Sequence, residues 1–163
     1  MENKIVSVVD GICIPIEQVS DEVFSSKMLG NGFAIIPEKK EHGERTAILS
    51  PISGRISGIA ESRHAYTIVG EDGLEVLVHI GIDTVDLHGK GFYPQICVGN
   101  DVLASDVLAY VEMDTVEKAG HDAVVVVVLA NSDQYKGLFV DLGKVKGGET
   151  VAGYGKKKDK IAK

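Results

Sequence analysis

Apolar and polar residues alternate along much of this chain, which is the period expected of β-strands. The clearest case runs from Leu74 to Ile80, where every second residue is Leu, Val or Ile and the residues between them are Glu75, Leu77 and His79. This stretch predicts a strand with one apolar face and one mixed face. His79 stands on the mixed face.

The same pattern continues through the rest of the chain with few interruptions. We expect further strands in residues 4–16, 30–37, 62–69, 107–111 and 123–129, and a closing pair of strands within residues 137–154. The five consecutive valines from Val124 to Val128 predict a strand that is covered on both faces. Helical character is confined to residues 18–29, where Ser20 begins the segment, and to residues 112–120. The pattern therefore predicts an all-β fold, an antiparallel β-sandwich or barrel with a few short helical turns.

A length of 163 residues suits one domain with a core of its own. We assign residues 1–154 to this domain and residues 155–163 to a lysine-rich C-terminal tail, interpreted as a solvated end. Within the domain, Ser7–Gly11 and Ser50–Gly54 share the pattern Ser-x-x-x-Gly. This echo fits a sandwich whose two halves reuse one hairpin design.

Charge and cysteine usage exclude several classes of function. The formal net charge of −7 argues against nucleic acid or an anionic membrane as the main partner, since phosphate-binding surfaces are basic. Cys13 and Cys97 have neither zinc-ribbon nor disulfide-framework spacing, which favours a reducing compartment. The longest apolar run, Ala123 to Ala130, is too short to span a bilayer, and no signal segment is evident. We therefore expect a soluble, cytoplasmic protein with no direct membrane insertion.

A second histidine, His64, lies in the next predicted strand upstream of His79, residues 62–69, and an Asp-Gly hairpin turn separates the two strands. If Glu71 and Asp72 form the tip of that turn, His64 faces His79 directly. If Asp72 and Gly73 form it, His64 lies diagonal to His79. Both registers place the two rings on one face, whereas an odd loop length would place them on opposite faces.

Paired imidazoles of this kind have three interpretations, and their spacing does not decide between them. They could hold a metal ion, or one ring could act as a nucleophile while the other donates a hydrogen bond to the incoming group. They could also be half-buried strand histidines that bond to backbone carbonyls. Gly81, directly after the strand, favours an accessible imidazole at His79 because it keeps bulky side chains away.

The segment VHIGIDTVDLHGKGF, taken with the upstream SRHAYTI, resembles the glucose-family enzyme IIA domain of the bacterial phosphoenolpyruvate-dependent sugar phosphotransferase system. Residues 21–24 and 30–35 extend the resemblance over most of the chain. It implies a fold of the duplicated hybrid motif type. It also implies that His79 carries a phosphoryl group and that His64 assists. The donor would be the phosphocarrier protein HPr, and the acceptor a cysteine of an enzyme IIB domain during sugar uptake.

The resemblance also implies roles for residues around the two rings. Three would support the site: Ser62, Gly81 and Asp83. Seven would form a partner-binding rim, exposed and mostly apolar: Asp21, Val23, Phe24, Met28, Leu29, Leu77 and Val85. An acceptor, commonly a backbone carbonyl, must hold the second ring nitrogen of His79 so that the reactive lone pair points outward.

We expect no cofactor and no tightly bound metal, because two histidines are too few for a closed zinc site. We also expect a monomer. A second functional hypothesis is a regulatory binding protein that uses the same face to dock onto metabolic enzymes or permeases according to its phosphorylation state.

Overall fold

The computed structural model describes residues 2–157. Within that part of the chain the antiparallel strands dominate, and the helices are one or two turns long. The strands are β1 (Glu2–Val6), β2 (Gly11–Pro15), β3 (Asn31–Pro37), β4 (Thr46–Leu49), β5 (Gly54–Ile59), β6 (Ala65–Val69), β7 (Glu75–Ile80), β8 (Phe92–Pro94), β9 (Asp101–Val102), β10 (Val107–Val111), β11 (Val125–Leu129), β12 (Tyr135–Val140), β13 (Gly143–Val145) and β14 (Val151–Lys157). The helices are α1 (Glu22–Ser25) and α2 (Met113–Lys118), with 3-10 turns at Ile16–Gln18, Thr84–Leu87 and Ser132–Gln134. The predicted all-β class is confirmed.

Three sheets make up the fold. The largest has eight strands in the order β13-β2-β3-β11-β7-β6-β5-β9, and the two smaller ones have the orders β1-β14-β12 and β4-β10-β8. The predicted Ser-x-x-x-Gly echo leads into β2 and β5, which lie towards opposite ends of the large sheet. In each copy a buried serine hydroxyl donates to the carbonyl two residues on, Ser7 to Val9 at 2.8 Å and Ser50 to Ile52 at 2.7 Å. The two copies therefore form the same local turn.

The main hydrophobic core receives side chains from all three sheets, including Ile5 of β1, Ile48 of β4 and Phe33 of β3. A second, smaller cluster lies on the other face of the large sheet and contains Phe24 and Val126. Every residue of β11 is buried, as the valine run predicted, because the two clusters cover its two faces.

The helical expectations are met in part. The predicted helix within residues 112–120 is α2, and it buries Val116. Residues 18–29 form less helix than predicted, since only the 3-10 turn Ile16–Gln18 and the short α1 lie in that region. The N-cap of α1 is Asp21, one residue after the expected Ser20, because the Asp21 carboxylate accepts a hydrogen bond from the Val23 amide at 2.8 Å.

Strand β14 continues to Lys157, three residues beyond the predicted domain boundary at residue 154, and it pairs with both β1 and β12. The rest of the predicted tail, residues 158–163, lies outside the described residues. None of the helices described in residues 2–157 has the length and apolarity needed to cross a membrane.

Candidate functional site

The hairpin formed by β6 and β7 has a different register from either one predicted. Ala65, not His64, faces His79 across the ladder. The connection has an odd length, because Gly70 bonds to Leu74 and a three-residue loop lies between them. Gly73 ends this loop with φ of +92°, which is the left-handed residue that three-residue hairpins require. A regular strand would therefore place His64 on the opposite face from His79.

The two imidazoles nevertheless meet, with ring centroids 4.9 Å apart and ring planes at 82°. This is possible because His64 precedes β6 and belongs to a turn, so strand alternation does not govern its side chain. Arg63 in that turn has φ of +63°, and its amide donates to the Ala60 carbonyl at 2.8 Å. The Ile80 amide donates to the His64 carbonyl at 2.8 Å and ties the turn to β7. The predicted proximity of the rings is confirmed, and the predicted register is wrong.

A backbone carbonyl holds one ring nitrogen of His79, as predicted. Nδ1 lies 2.8 Å from the Gly81 carbonyl oxygen. A carbonyl can only accept a hydrogen bond, so Nδ1 carries the proton and Nε2 carries the lone pair. Gly81 has φ of +73°, and a Cβ built on it would lie 2.5 Å from Cγ2 of Thr84. Only glycine fits this position, and the hydrogen bond to its carbonyl orients the imidazole.

Both histidines are held neutral near pH 7. The pKa of His79 is lowered to about 4, by burial first and by the neighbouring His64 second, against the opposite effects of the Gly81 carbonyl and two carboxylates. Burial also lowers the pKa of His64, with partial compensation from the Ser62 backbone. Nδ1 of His64 is buried, and the described part of the chain provides no hydrogen-bond partner for it. The site therefore offers an unprotonated nitrogen of His79 next to a second neutral imidazole.

Phe24 is part of the site floor, which corrects its assignment to an exposed rim. Its side chain is only 5% exposed. Its ring lies 4.9 Å from the His79 ring, centroid to centroid, at an interplanar angle of 59°. Helix α1 directs Phe24 inward onto the small cluster, where it packs with Val126. Phe24 thus removes water from one side of the imidazole and contributes to the burial that lowers its pKa.

The other apolar residues of the predicted rim differ in exposure. Met28 is 74% exposed, and Val23, Leu29 and Val85 are each exposed by more than two-fifths. Leu77 is half-buried and packs against the small cluster below α1. Exposed apolar side chains grouped near a polar centre are typical of a docking surface.

The two predicted acidic residues occupy different local structures. Asp21 caps α1, as described above. Asp83 has a left-handed backbone with φ of 58° and makes no capping hydrogen bond to the 3-10 turn that follows it. Both carboxylates raise the pKa of His79, so both stabilise positive charge on that ring. Ser62, the third predicted supporting residue, acts on the His64 pKa through its backbone.

Sequence reasoning missed two residues that shape the site, Arg63 and Thr84. Arg63 supplies the left-handed turn that brings His64 to His79. Thr84 is fully buried, and its hydroxyl donates to the Ile80 carbonyl in the turn after β7. A threonine three residues after Gly81, directly beyond a strand end, was the available sequence indication. Among the described residues no group of three or more His, Cys, Asp or Glu side chains is arranged to hold a metal ion.

Comparison with known proteins shows which family this chain resembles. Residues 3–135 match the family described as phosphoenolpyruvate-dependent sugar phosphotransferase system, EIIA 1. The chain is 35% identical over 148 residues to the PTS system glucose-specific EIIA component of Staphylococcus epidermidis, covering 90% of this chain and 86% of that protein.

Two further relatives differ from each other in length. The PTS system glucose-specific EIICBA component of Streptococcus pneumoniae is 43% identical over 136 residues, and these cover 83% of this chain but only 18% of that longer protein. The solved structure of glucose permease IIA from Mycoplasma capricolum superposes with a TM-score of 0.83 at 32% identity, covering 94% of this chain and 96% of that one. The similarity thus extends to stand-alone proteins and to one module of a longer polypeptide.

Proposed function

The chain belongs to the EIIA 1 family of the phosphoenolpyruvate-dependent sugar phosphotransferase system, and we propose that within this family His79 is the residue that carries the phosphoryl group. The single observation that supports this assignment is the 2.8 Å bond from Nδ1 of His79 to the Gly81 carbonyl. It leaves Nε2 unprotonated at the half-buried site, beside a second neutral imidazole. The family supports phosphoryl transfer as the reaction, and the hydrogen bond at Nδ1 supports Nε2 of His79 as the reacting atom.

The transfer step follows from the protonation state of His79. The Nε2 lone pair attacks the phosphorus of phosphorylated HPr, the bond from phosphorus to the donor breaks, and its electron pair remains on HPr. The Nδ1 proton stays in place, shared with the Gly81 carbonyl, so the phosphorylated ring carries positive charge. The carboxylates of Asp21 and Asp83, which already favour a cationic ring, stabilise that charge.

His64 has an electrostatic role in this proposal. Its ring is 4.9 Å from that of His79, centroid to centroid, close enough for a donor nitrogen to bond to a phosphoryl oxygen. The negative charge of a bound phosphoryl group favours the protonated form of His64, which opposes the effect of burial on its pKa. His64 would then stabilise the in-line transition state of transfer to the enzyme IIB cysteine without being phosphorylated itself.

The exposed apolar side chains around the site are the proposed docking surface for both partners. Val23, Met28 and Leu29 lie in or just after α1, whose Phe24 contacts the His79 ring, and Val85 lies in the 3-10 turn after β7; all four are exposed. HPr and the enzyme IIB domain would use this surface in turn, because each must reach Nε2 of His79. We further propose that the chain acts in the cytoplasm, where the thiols of Cys13 and Cys97, both free in the structure, remain reduced.

The test is to incubate the chain with phosphoenolpyruvate, enzyme I and HPr and to measure the mass gain of one phosphoryl group. We expect His79→Gln to abolish the gain. His64→Gln should still accept the group, since it keeps the nucleophile, but it should pass the group on to enzyme IIB slowly. Acid lability and base stability of the product identify a phosphohistidine.

Equal loss of acceptance in both variants would contradict this division of labour. A mass gain that persists in His79→Gln would refute the assignment of the carrier residue. The second functional hypothesis, phosphorylation-dependent docking onto metabolic enzymes or permeases, uses the same exposed surface. Binding to such proteins without any mass gain on the wild-type chain would favour it over phosphoryl transfer.

A further inference from the structure

Thr84 is a polar side chain that is fully buried at the turn after β7. Its hydroxyl donates to the Ile80 carbonyl four residues earlier, and its methyl group occupies the space that a Cβ at Gly81 would need. Burying a hydroxyl is unfavourable unless it makes a hydrogen bond, and here the hydroxyl makes one to the backbone beside the site. This bond lies next to Gly81, whose carbonyl holds the His79 ring.

Two consecutive peptide planes connect Thr84 to the His79 ring. The plane between Ile80 and Gly81 is held at both ends, since its carbonyl accepts from Thr84 and its amide donates to the Val124 carbonyl at 2.8 Å. The next plane carries the Gly81 carbonyl that bonds to Nδ1 of His79. Its amide, from Ile82, donates to the Asp122 carbonyl at 2.9 Å.

Gly81 is the joint between these planes, and glycine imposes little backbone preference of its own. The direction of its carbonyl is therefore set by the hydrogen bonds on either side. Without the Thr84 hydroxyl, the first plane would keep only its amide anchor on Val124. The next plane would then be held only through the Ile82 amide on Asp122, so the Gly81 carbonyl could turn away from Nδ1, and the proton on the imidazole would no longer be confined to that nitrogen.

We propose that Thr84 is a positioning residue that fixes the tautomer of His79 by holding the Gly81 carbonyl against Nδ1. The inference rests on the proposed function for its consequence, because only the tautomer with a free Nε2 can accept a phosphoryl group at that atom. Thr84 is fully buried and acts through its hydrogen bond to the Ile80 carbonyl. The effect of Thr84 on the His79 tautomer does not depend on that function, because the ring has a tautomer whether or not it is phosphorylated.

The experiment measures the tautomer directly, by long-range proton–nitrogen NMR of the His79 ring at neutral pH. Wild type should show Nε2 as the unprotonated nitrogen. Thr84→Val, which replaces the hydroxyl with a methyl group, should show a mixture of the two tautomers. Its rate of phosphoryl acceptance from HPr should fall roughly threefold to tenfold, the effect of one buried hydrogen bond. Thr84→Ser keeps the hydroxyl and should retain the wild-type tautomer.

A matched control is available in β4, where Thr46 is also buried and its hydroxyl has no hydrogen-bond partner in the described part of the chain. Thr46→Val makes the same chemical change away from the site and should leave the His79 tautomer unaltered. If Thr84→Val does not fold, the comparison of Thr84→Ser with Thr84→Ala isolates the hydroxyl in two side chains that both fit the space.

A single Nδ1-protonated tautomer in Thr84→Val, or in Thr84→Ala when that pair is used, would overturn the proposal. So would a tautomer change of equal size in Thr46→Val, because the effect would then be general loosening of the fold. Failure of the proposed function looks different: wild type would show the fixed tautomer but gain no phosphoryl group. The two outcomes are therefore distinguishable.

Discussion

Val126 and Val127 are neighbours in β11, yet they lie on faces of the large sheet with different tasks. Val127 pairs with Phe33 and Val78, and all three belong to the main core. Val126 pairs with Ala34 and His79, on the face that carries the imidazoles. One step along the strand therefore separates the interior of the fold from the site.

The two faces differ in what covers them. The core face packs against the two smaller sheets, and its side chains are almost completely removed from water. The site face is covered by the short helical segment over residues 16–25, whose Phe24 reaches His79 but leaves the imidazole half-buried. A thin cover provides enough burial to keep the ring neutral and still leaves His79 partly exposed to a partner. The core face therefore supplies stability, and the site face supplies reactivity.

The strongest test of this comparison replaces one phenylalanine on each face. Phe33→Ala should lower the free energy of unfolding by about 3–5 kcal/mol, the usual cost of truncating a fully buried phenylalanine. Phe24→Ala should cost less, because water can enter the space it leaves at the edge of the fold. Phe24→Ala should also raise the pKa of His79 towards its ordinary value, and Phe33→Ala should not. Chemical denaturation and NMR titration measure the two effects, and a larger pKa change in Phe33→Ala would contradict the separation.

A smaller effect is expected on the pH dependence of stability. The pKa of His79 is about 4 in the fold, against 6.5 for an ordinary histidine. The unfolded chain therefore binds the proton first, and the stabilisation present above pH 6.5 is lost as the pH falls to 4. The loss amounts to at most ~3.5 kcal/mol, at ~1.4 kcal/mol per pKa unit. Denaturation midpoints measured across this pH range test it.

His79→Gln is the control for the pH experiment, because it removes the titrating ring and leaves the carboxylates in place. As the pH falls from 6.5 to 4, the free energy of unfolding of wild type should fall more than that of His79→Gln. If the two proteins lose stability in parallel, His79 does not resist protonation in the fold, and the burial of the ring has no energetic consequence.

The smallest change in stability is expected at the exposed surface. Met28 is 74% exposed, so Met28→Ala should alter the free energy of unfolding by no more than about 0.5 kcal/mol. Phosphoryl exchange with HPr should nevertheless slow several-fold, because docking would lose an apolar contact. Leu103→Ala offers a control that is 68% exposed and far from the motif in sequence. An equal slowing in both variants would show that Met28 has no special place in docking.

Much of the fold and of the site was determined by the sequence itself. Alternation identified β7 and the face of His79, and the valine run identified β11 as covered on both sides. The glycine after the strand indicated the carbonyl contact to His79, which the structure assigns to Gly81. These features are local, since each depends on residues close together in the chain.

Only the tertiary structure decided how distant segments meet. The register between β6 and β7 depends on a loop with a left-handed Gly73, and it differs from both registers considered from the sequence. His64 reaches His79 because Arg63 turns the chain before β6 begins, an arrangement that strand periodicity does not describe. Phe24 is part of the floor because α1 packs it into the small cluster that contains Val126, against the His79 ring. Periodicity fixes which side of a strand a residue takes, but the contacts it makes depend on turns and on the elements packed against that side.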